Sequence, residues 1–235
     1  MPYKDTLAEV DYSLRRDSAF SYLCNACSRC CHNKAIRVGP YEILRLARHF
    51  GMTTTEFIAQ HTEAGGTMLR MRDENNRACI FLNEQGCGVH PDRPLACRLY
   101  PLARWVEPDG HESFGHLTPH PKTEGVYGAG ATVGAYLDQQ GAAPFFEMGD
   151  RYGVAYQSMI DRLASLDAEE LQRRSSRRID VEQTEPGLAA SPWIDIDKTV
   201  SEYCRANRRP VPDDIEGVVA AHIEALETWI ASLGN

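Results

Sequence analysis

The chain has 235 residues, 43% of them hydrophobic, which suits one large domain or two small ones and argues against disorder over its bulk. Lysine and arginine number 25 against 33 aspartates and glutamates, and the resulting net charge of −8 repels phosphate backbones and argues against general nucleic-acid binding. No run of about 18 apolar residues occurs, and the opening MPYKDTLAEVDYSL has neither the basic start nor the apolar core of a signal peptide, so the expectation is a chain without a membrane span, working in the reducing cytoplasm.

In chain order, the first feature is the run Cys24-Asn-Ala-Cys27-Ser-Arg-Cys30-Cys31. Gly39-Pro40, then YEILRLARHF and Gly51, predicts a short helix with proline in its first turn, Ile43, Leu46, Ala47 and Phe50 on one face, and a glycine stop. Thr53 and Glu56 have the form of a capping box and open a second helix to about His61, with Phe57 and Ile58 as its apolar contacts. The segment RACIFLNEQGCGVH predicts a tight hairpin around Asn83-Glu84-Gln85-Gly86, with Gly86 left-handed and Cys79 and Cys87 on opposite strands. A three-residue loop would leave Cys79 roughly 13 Å along an extended strand from the position facing Cys87, too far for one ion to reach both. A shift of one residue would set Cys79 opposite His90 instead, and the register stays open.

LARWVEPDGHESFGHL predicts a second hairpin, turning at Pro108-Asp109-Gly110, and TPHPKTEGVYGAG after it reads as a loop. From about Ala131 to Leu166 two helices are expected, broken near Gly141 to Pro144, followed by a polar, arginine-rich surface linker from Leu171 to Pro192. Ile215, Val219, Leu226, Ile230 and Leu233 recur at helical spacing in an amphipathic closing helix that ends at Gly234.

Eight cysteines in a reducing compartment need an explanation other than a disulfide framework, and metal binding is the leading one. Cys24, Cys27, Cys30, Cys31, Cys79, Cys87 and Cys97 cluster in one stretch, whereas Cys204 stands alone and reads as a partly buried thiol. The C-x2-C-x2-C spacing of Cys24, Cys27 and Cys30 lets one irregular loop offer several sulfurs to one centre. It matches the opening of a bacterial ferredoxin run only partly, since Cys31 follows at once where that pattern has a three-residue gap. A c-type haem is ruled out because Ser28 stands where Cys31-His32 would need a partner cysteine, and the C-x3-C-x2-C spacing of radical enzymes is absent. Adjacent Cys30 and Cys31 point to different sides of most backbones, so either one is a spectator or there are two centres.

The cysteine run, the helix begun by Pro40-Tyr41-Glu42-Ile43, the CIFLNEQGC segment and HPDRPLACRLYP together resemble the cysteine-cluster proteins of the YkgJ type, a zinc- or iron-chelating family, over about residues 20 to 105. The order joins Cys87, Arg93, Pro94, Cys97, Arg98 and Pro101 to the earlier run, and flagellin lysine N-methylases are similar in this segment. The resemblance implies metal ligation by all seven clustered cysteines, and the second kinship implies an iron-sulfur centre and protein-modifying chemistry. The resemblance does not extend to the residues from Ala129 onward, and it implies no particular activity for them.

Arg93 and Arg98 flank Cys97 and are expected to bind the cofactor by offsetting the negative charge of a thiolate-ligated centre, the alternative being pairing with a carboxylate such as Asp92. His32 and His90 lie nearest the thiols and remain open as ligands. His111, His116 and His120 read better as solvated loop residues than as a metal site, and His222 as bordering the closing helix's apolar face. Gly125, Gly128, Gly130 and Gly134 match no phosphate loop, and Arg173, Arg174, Arg177 and Arg178 form a local basic face. The expectation is an α+β chain, predominantly helical, with a metal-binding region at 1–125 and a helical region at 126–235 packed on it. Its cofactor is an iron-sulfur cluster, 4Fe-4S favoured, or zinc. A protein partner or protein substrate is allowed, and the alternative function is a zinc-stabilised interaction module without catalysis.

Overall fold

A computed structural model describes residues 10–74, 76–107, 109–166 and 191–233. In chain order the elements are β1 (Ala19–Leu23), α1 (Pro40–His49), α2 (Thr54–His61), β2 (Thr62–Glu63), β3 (Met68–Leu69), β4 (Leu82–Asn83), β5 (Gly86–Cys87), α3 (Leu95–Leu99), β6 (Leu102–Val106), β7 (Glu112–His116), β8 (Val126–Thr132), α4 (Val133–Gln139), α5 (Ala143–Ala164), α6 (Ile196–Ala206) and α7 (Ile215–Ser232). The class is mixed α+β, the strands forming small two-stranded sheets. No helix among the described residues is long and apolar enough to cross a membrane.

The chain divides into two compact units that interleave in sequence. The first takes residues up to Arg37 and Leu69–Phe146, and the second takes Val38–Met68 and everything from Glu147 onward. This differs from the division at residue 125, because α1 and α2 pack with α6 and α7 rather than with the cysteines around them in sequence. Ile43, Leu44, Leu46 and Ala47 of α1 and Phe57 of α2 are fully buried, as are Ile196 and Val219.

Local signals explain the helices of the second unit. Proline opens α1, and Gly51 at φ +66° ends it, freeing the Met52 N–H to donate to the Ala47 carbonyl at 2.9 Å. At the start of α2 the Thr53 hydroxyl accepts from the Glu56 N–H, and the Glu56 carboxylate accepts from the Thr53 N–H at 2.8 Å. The helix α6, which the sequence pattern did not suggest, caps α2 reciprocally. The Thr54 N–H donates to Asp197 at 2.7 Å, and the Thr54 hydroxyl accepts from the Asp197 N–H at 2.9 Å. Buried Asp195 accepts from the hydroxyls of Thr54 and Thr55, both at 2.6 Å.

In the first unit the core is Phe20, Leu99, Leu102, Phe114, Val133, Tyr136, Leu137, Ala142 and Phe146. Strands β6 and β7 form the expected hairpin, with Leu102 opposite His116. The stretch expected to be a loop, Thr118–Gly130, instead contains the start of β8, which pairs antiparallel with β1 through Ser21–Gly128, Tyr22–Tyr127 and Leu23–Val126. Its glycines hid it: a Cβ on Gly128 would sit 2.9 Å from the Ser21 hydroxyl, and one on Gly125, just before the strand, would run into the Tyr22 ring. The break between α4 and α5 falls at Gly141, φ +61°, as expected. Most of the linker expected at Leu171 to Pro192, with Arg173, Arg174, Arg177 and Arg178, lies outside the described residues.

Candidate metal centre

The cysteine loop leaves the end of β1 and curls because Ala26 and Ser28 adopt left-handed conformations, φ 51° and 59°. A 3-10 turn over Arg29–Cys31 follows, closed by the Cys31 N–H on the Ser28 carbonyl at 3.0 Å. The chain then pairs with residues 77–79: the Asn33 N–H reaches the Arg77 carbonyl at 3.1 Å, and the Cys79 N–H reaches the Cys31 carbonyl at 2.8 Å. Two distant parts of the sequence are thereby set side by side at Cys31 and Cys79.

Beyond Cys79 the backbone does not run straight into the hairpin. The Leu82 N–H closes a turn on the Cys79 carbonyl at 3.0 Å, and β4 begins only at Leu82, which faces Cys87 across a two-residue loop with Gly86 at φ +109°. The extended distance expected between Cys79 and Cys87 therefore does not apply, and their thiols interact electrostatically. Cys97 arrives on α3, its N–H held by the Pro94 carbonyl at 2.9 Å. The Cys31 thiol interacts with those of Cys30, Cys97 and Cys79. All seven clustered cysteines are free thiols; Cys24 is exposed, and the other six are half-buried. They are neighbours without converging: among the described residues, no group of three or more His, Cys, Asp or Glu is closed around a point that would hold an ion.

The thiols differ in acidity. Cys30 is lowered to about 7, chiefly because the Cys31 S–H donates to it, and Cys31 is raised by the same bond and by burial. Cys79 is raised by burial, with Cys87 adding to the shift. Any metal taken up here must displace protons from these sulfurs. Seven soft sulfur donors fit zinc or an iron-sulfur centre and exclude a calcium- or magnesium-type site.

Arg98 is 6% exposed, and its guanidinium donates to backbone carbonyls, to Arg93 at 3.0 Å, to Gln140 at 2.7 Å and to Pro91, while lying 4.2 Å above the Phe145 ring. Arg93 donates to the His90 carbonyl at 2.7 Å, to His90 Nδ1 at 3.1 Å and to the Gln140 side chain at 2.6 Å. Both arginines thus tie the Pro91–Arg93 segment to the end of α4, one turn of chain before Cys97. A guanidinium only donates, so His90 Nδ1 accepts and its Nε2 carries the proton, an arrangement with no ring lone pair left for a metal. Burial lowers the His90 pKa and keeps it neutral, with Arg93 and Arg98 adding to the effect. His32 is the converse: its Nδ1 donates to the Ser28 carbonyl at 3.0 Å, which leaves Nε2 as an acceptor. His116 packs against the rings of Phe20 and Tyr127 instead of joining His111 and His120.

Four tyrosines beside the cysteine loop escaped sequence reasoning. Tyr22 from β1, Tyr100 after α3, Tyr127 from β8 and Tyr136 from α4 share no spacing and meet only through the fold. Tyr22 lies 4.8 Å from Tyr127, 6.1 Å from Tyr100 and 6.4 Å from Tyr136, ring centre to ring centre. Each interacts electrostatically with one or two of Cys24, Cys27 and Cys30, and burial pushes Tyr22 up to about 12. A cavity of about 290 Å³ opens among Tyr22, Leu23, Val126, Tyr127, Tyr136 and Gln139.

Residues 23–120 match the family model CxxCxxCC, described as a putative zinc- or iron-chelating domain. No curated protein and no solved structure matches the chain.

Proposed function

From the match of residues 23–120 to the CxxCxxCC model, we propose that the chain is a metal-binding protein whose clustered cysteines ligate an iron-sulfur centre. The observation that carries this reading is that Cys31 is joined through its carbonyl to the Cys79 N–H at 2.8 Å, with Cys87 on the hairpin and Cys97 on the helix that follow. Four sulfurs are what a cubane cluster takes, and the remaining three exceed the need of a single zinc ion. Bound there, the cluster supplies electron transfer, in redox chemistry or in modification of a protein. The chain's own residues do the rest. Arg93 and Arg98 act as cofactor-positioning residues that fix the segment before Cys97. Leu23 and Val126, paired beside the cysteine loop and 64% and 57% exposed, offer apolar contact to a protein partner or substrate.

A second reading, a zinc-stabilised interaction module, is favoured by the same four thiols, since a structural zinc site closes with four cysteines. Anaerobic purification, elemental analysis, labile-sulfide assay and a visible spectrum separate the two. Iron with matching sulfide and visible absorption is the expected result. Full zinc occupancy without iron overturns the cluster and establishes the second reading.

A further inference from the structure

Strand β8 is unusual in what it lacks. Its sequence VYGAGAT sets Gly128, Ala129, Gly130 and Ala131 in succession, with no side chain larger than a methyl group, where a strand is ordinarily built from β-branched and aromatic residues. Gly128 has a reason inside the chain, since a Cβ there would meet the Ser21 hydroxyl oxygen at 2.9 Å. Gly130 has none: its φ lies outside the left-handed region, and among the described residues nothing stands within 4 Å of where its Cβ would be. Gly128, Ala129 and Gly130 are exposed, and among the described residues β8 has one neighbouring strand, β1, so its other edge presents unpaired backbone. A strand glycine with open space beside it suits a place that another backbone approaches. The same strand borders the tyrosine-lined cavity of about 290 Å³, to which Val126, Tyr127, Gly128 and Ala131 contribute together with Tyr22 of β1 and Tyr136 of α4, all within the first unit.

We propose that β8 is a docking edge for an extended segment of a protein partner, which adds to it as a third strand through main-chain hydrogen bonds and sets one bulky apolar side chain in the cavity. This rests on the reading above that Leu23 and Val126 offer apolar contact to a partner, and it says how that partner binds. Charge selects the occupant. A quarter of the chain is charged, yet β1 and β8, AFSYL and VYGAGAT, carry no charged residue, and none lines the cavity. The side chain that enters is therefore neutral, because an ionised group would give up hydration there without meeting a counter-charge. Size selects against a second copy of this chain. Seven residues at roughly 3.3 Å each make an edge about 23 Å long and about 5 Å wide, on the order of 110 Å², where a stable dimer buries about 800 Å² per partner. A peptide strand needs no broader surface, since main-chain bonds supply its affinity and a side-chain pocket its specificity.

The test titrates the peptide acetyl-Thr-Val-Thr-Phe-Thr-Val-Thr-amide into the isotope-labelled full chain, followed by NMR. Amide signals across Val126–Thr132 should shift and exchange more slowly with solvent, while those of β6 should do neither. Two further versions of the peptide are N-methylated on alternate residues, one in each phase, so that they keep every side chain and lose main-chain donors. The phase that faces β8 should bind at least about tenfold more weakly, as should a version with aspartate in place of phenylalanine. Equal affinity of both N-methylated peptides, with the Leu23 and Val126 signals still shifting, overturns strand addition and leaves the apolar contact intact. Undiminished binding of the aspartate version overturns the cavity as the side-chain pocket. No shift at Leu23, Val126 or anywhere in β8 at millimolar peptide overturns the partner reading on which the proposal rests. Dimerisation of the chain in sedimentation, with the same amides protected in the absence of peptide, makes a second copy the occupant and overturns the proposal. Metal content measured on the same sample separates each of these outcomes from the metal-binding reading.

Discussion

His222 provides a pH test that is independent of the metal. It is fully buried on α7; its Nε2 meets the Pro192 carbonyl at 2.9 Å, and its Nδ1 meets the Tyr152 hydroxyl on α5 at 2.8 Å. A carbonyl only accepts, so Nε2 carries the proton and Nδ1 accepts from Tyr152; a second proton would make Nδ1 a donor and force the Tyr152 hydroxyl to turn its hydrogen away inside the core. Burial lowers the pKa from 6.5 to about 4, outweighing the opposing pull of the Pro192 carbonyl and Asp195. Because the folded pKa lies below the unfolded one, the unfolded chain binds more protons between these values, and stability falls as pH drops through that window. At 1.36 kcal/mol per unit, the shift costs about 3 kcal/mol by pH 4 relative to pH 7. Urea unfolding, followed by the fluorescence of Trp193 and Trp229, should show this loss between pH 7 and 4 in wild type and not in His222→Gln. Acid release of metal affects both proteins alike, so the difference between their curves isolates the histidine. Identical pH slopes for the two proteins would refute the assignment.

Three further outcomes are expected. Asp195→Ala removes the acceptor of two threonine hydroxyls at a site 1% exposed and should destabilise the α2–α6 contact by about 1–3 kcal/mol in the same urea assay. Gly125→Ala drives a methyl group into the Tyr22 ring and should lower Tm by several degrees, whereas Gly130→Ala, with open space around it, should not. Under anaerobic chelation, hydrogen exchange should rise over residues 24–37 and 78–100 and stay low over Pro40–His49, which belongs to the other unit although it lies between these stretches in sequence; equal loss of protection would show one cooperative unit.

That interleaving marks where the sequence stopped being informative. Signals carried by a few consecutive residues were legible, such as Pro40 and Gly51 bounding α1, Thr53 and Glu56 capping α2, and Gly86 turning the short hairpin. Signals that depend on a partner far along the chain were not. Strand β8 has Gly128 and Gly130 where β-formers would announce a strand, and only its pairing with β1, more than a hundred residues earlier, where Gly128 leaves room for Ser21, reveals it. Helix α6 shows its purpose only when Asp195 and Asp197 are seen to cap α2. The thiols follow the same rule. Spacing named Cys24, Cys27 and Cys30 as a group, but the neighbours of Cys31 were hidden behind a turn at Cys79–Leu82 that an extended-strand estimate straightened out. The tyrosines had no pattern to detect, since each comes from a different element. Local chemistry thus picked out the thiols, and long-range pairing determined which elements bring them near one another.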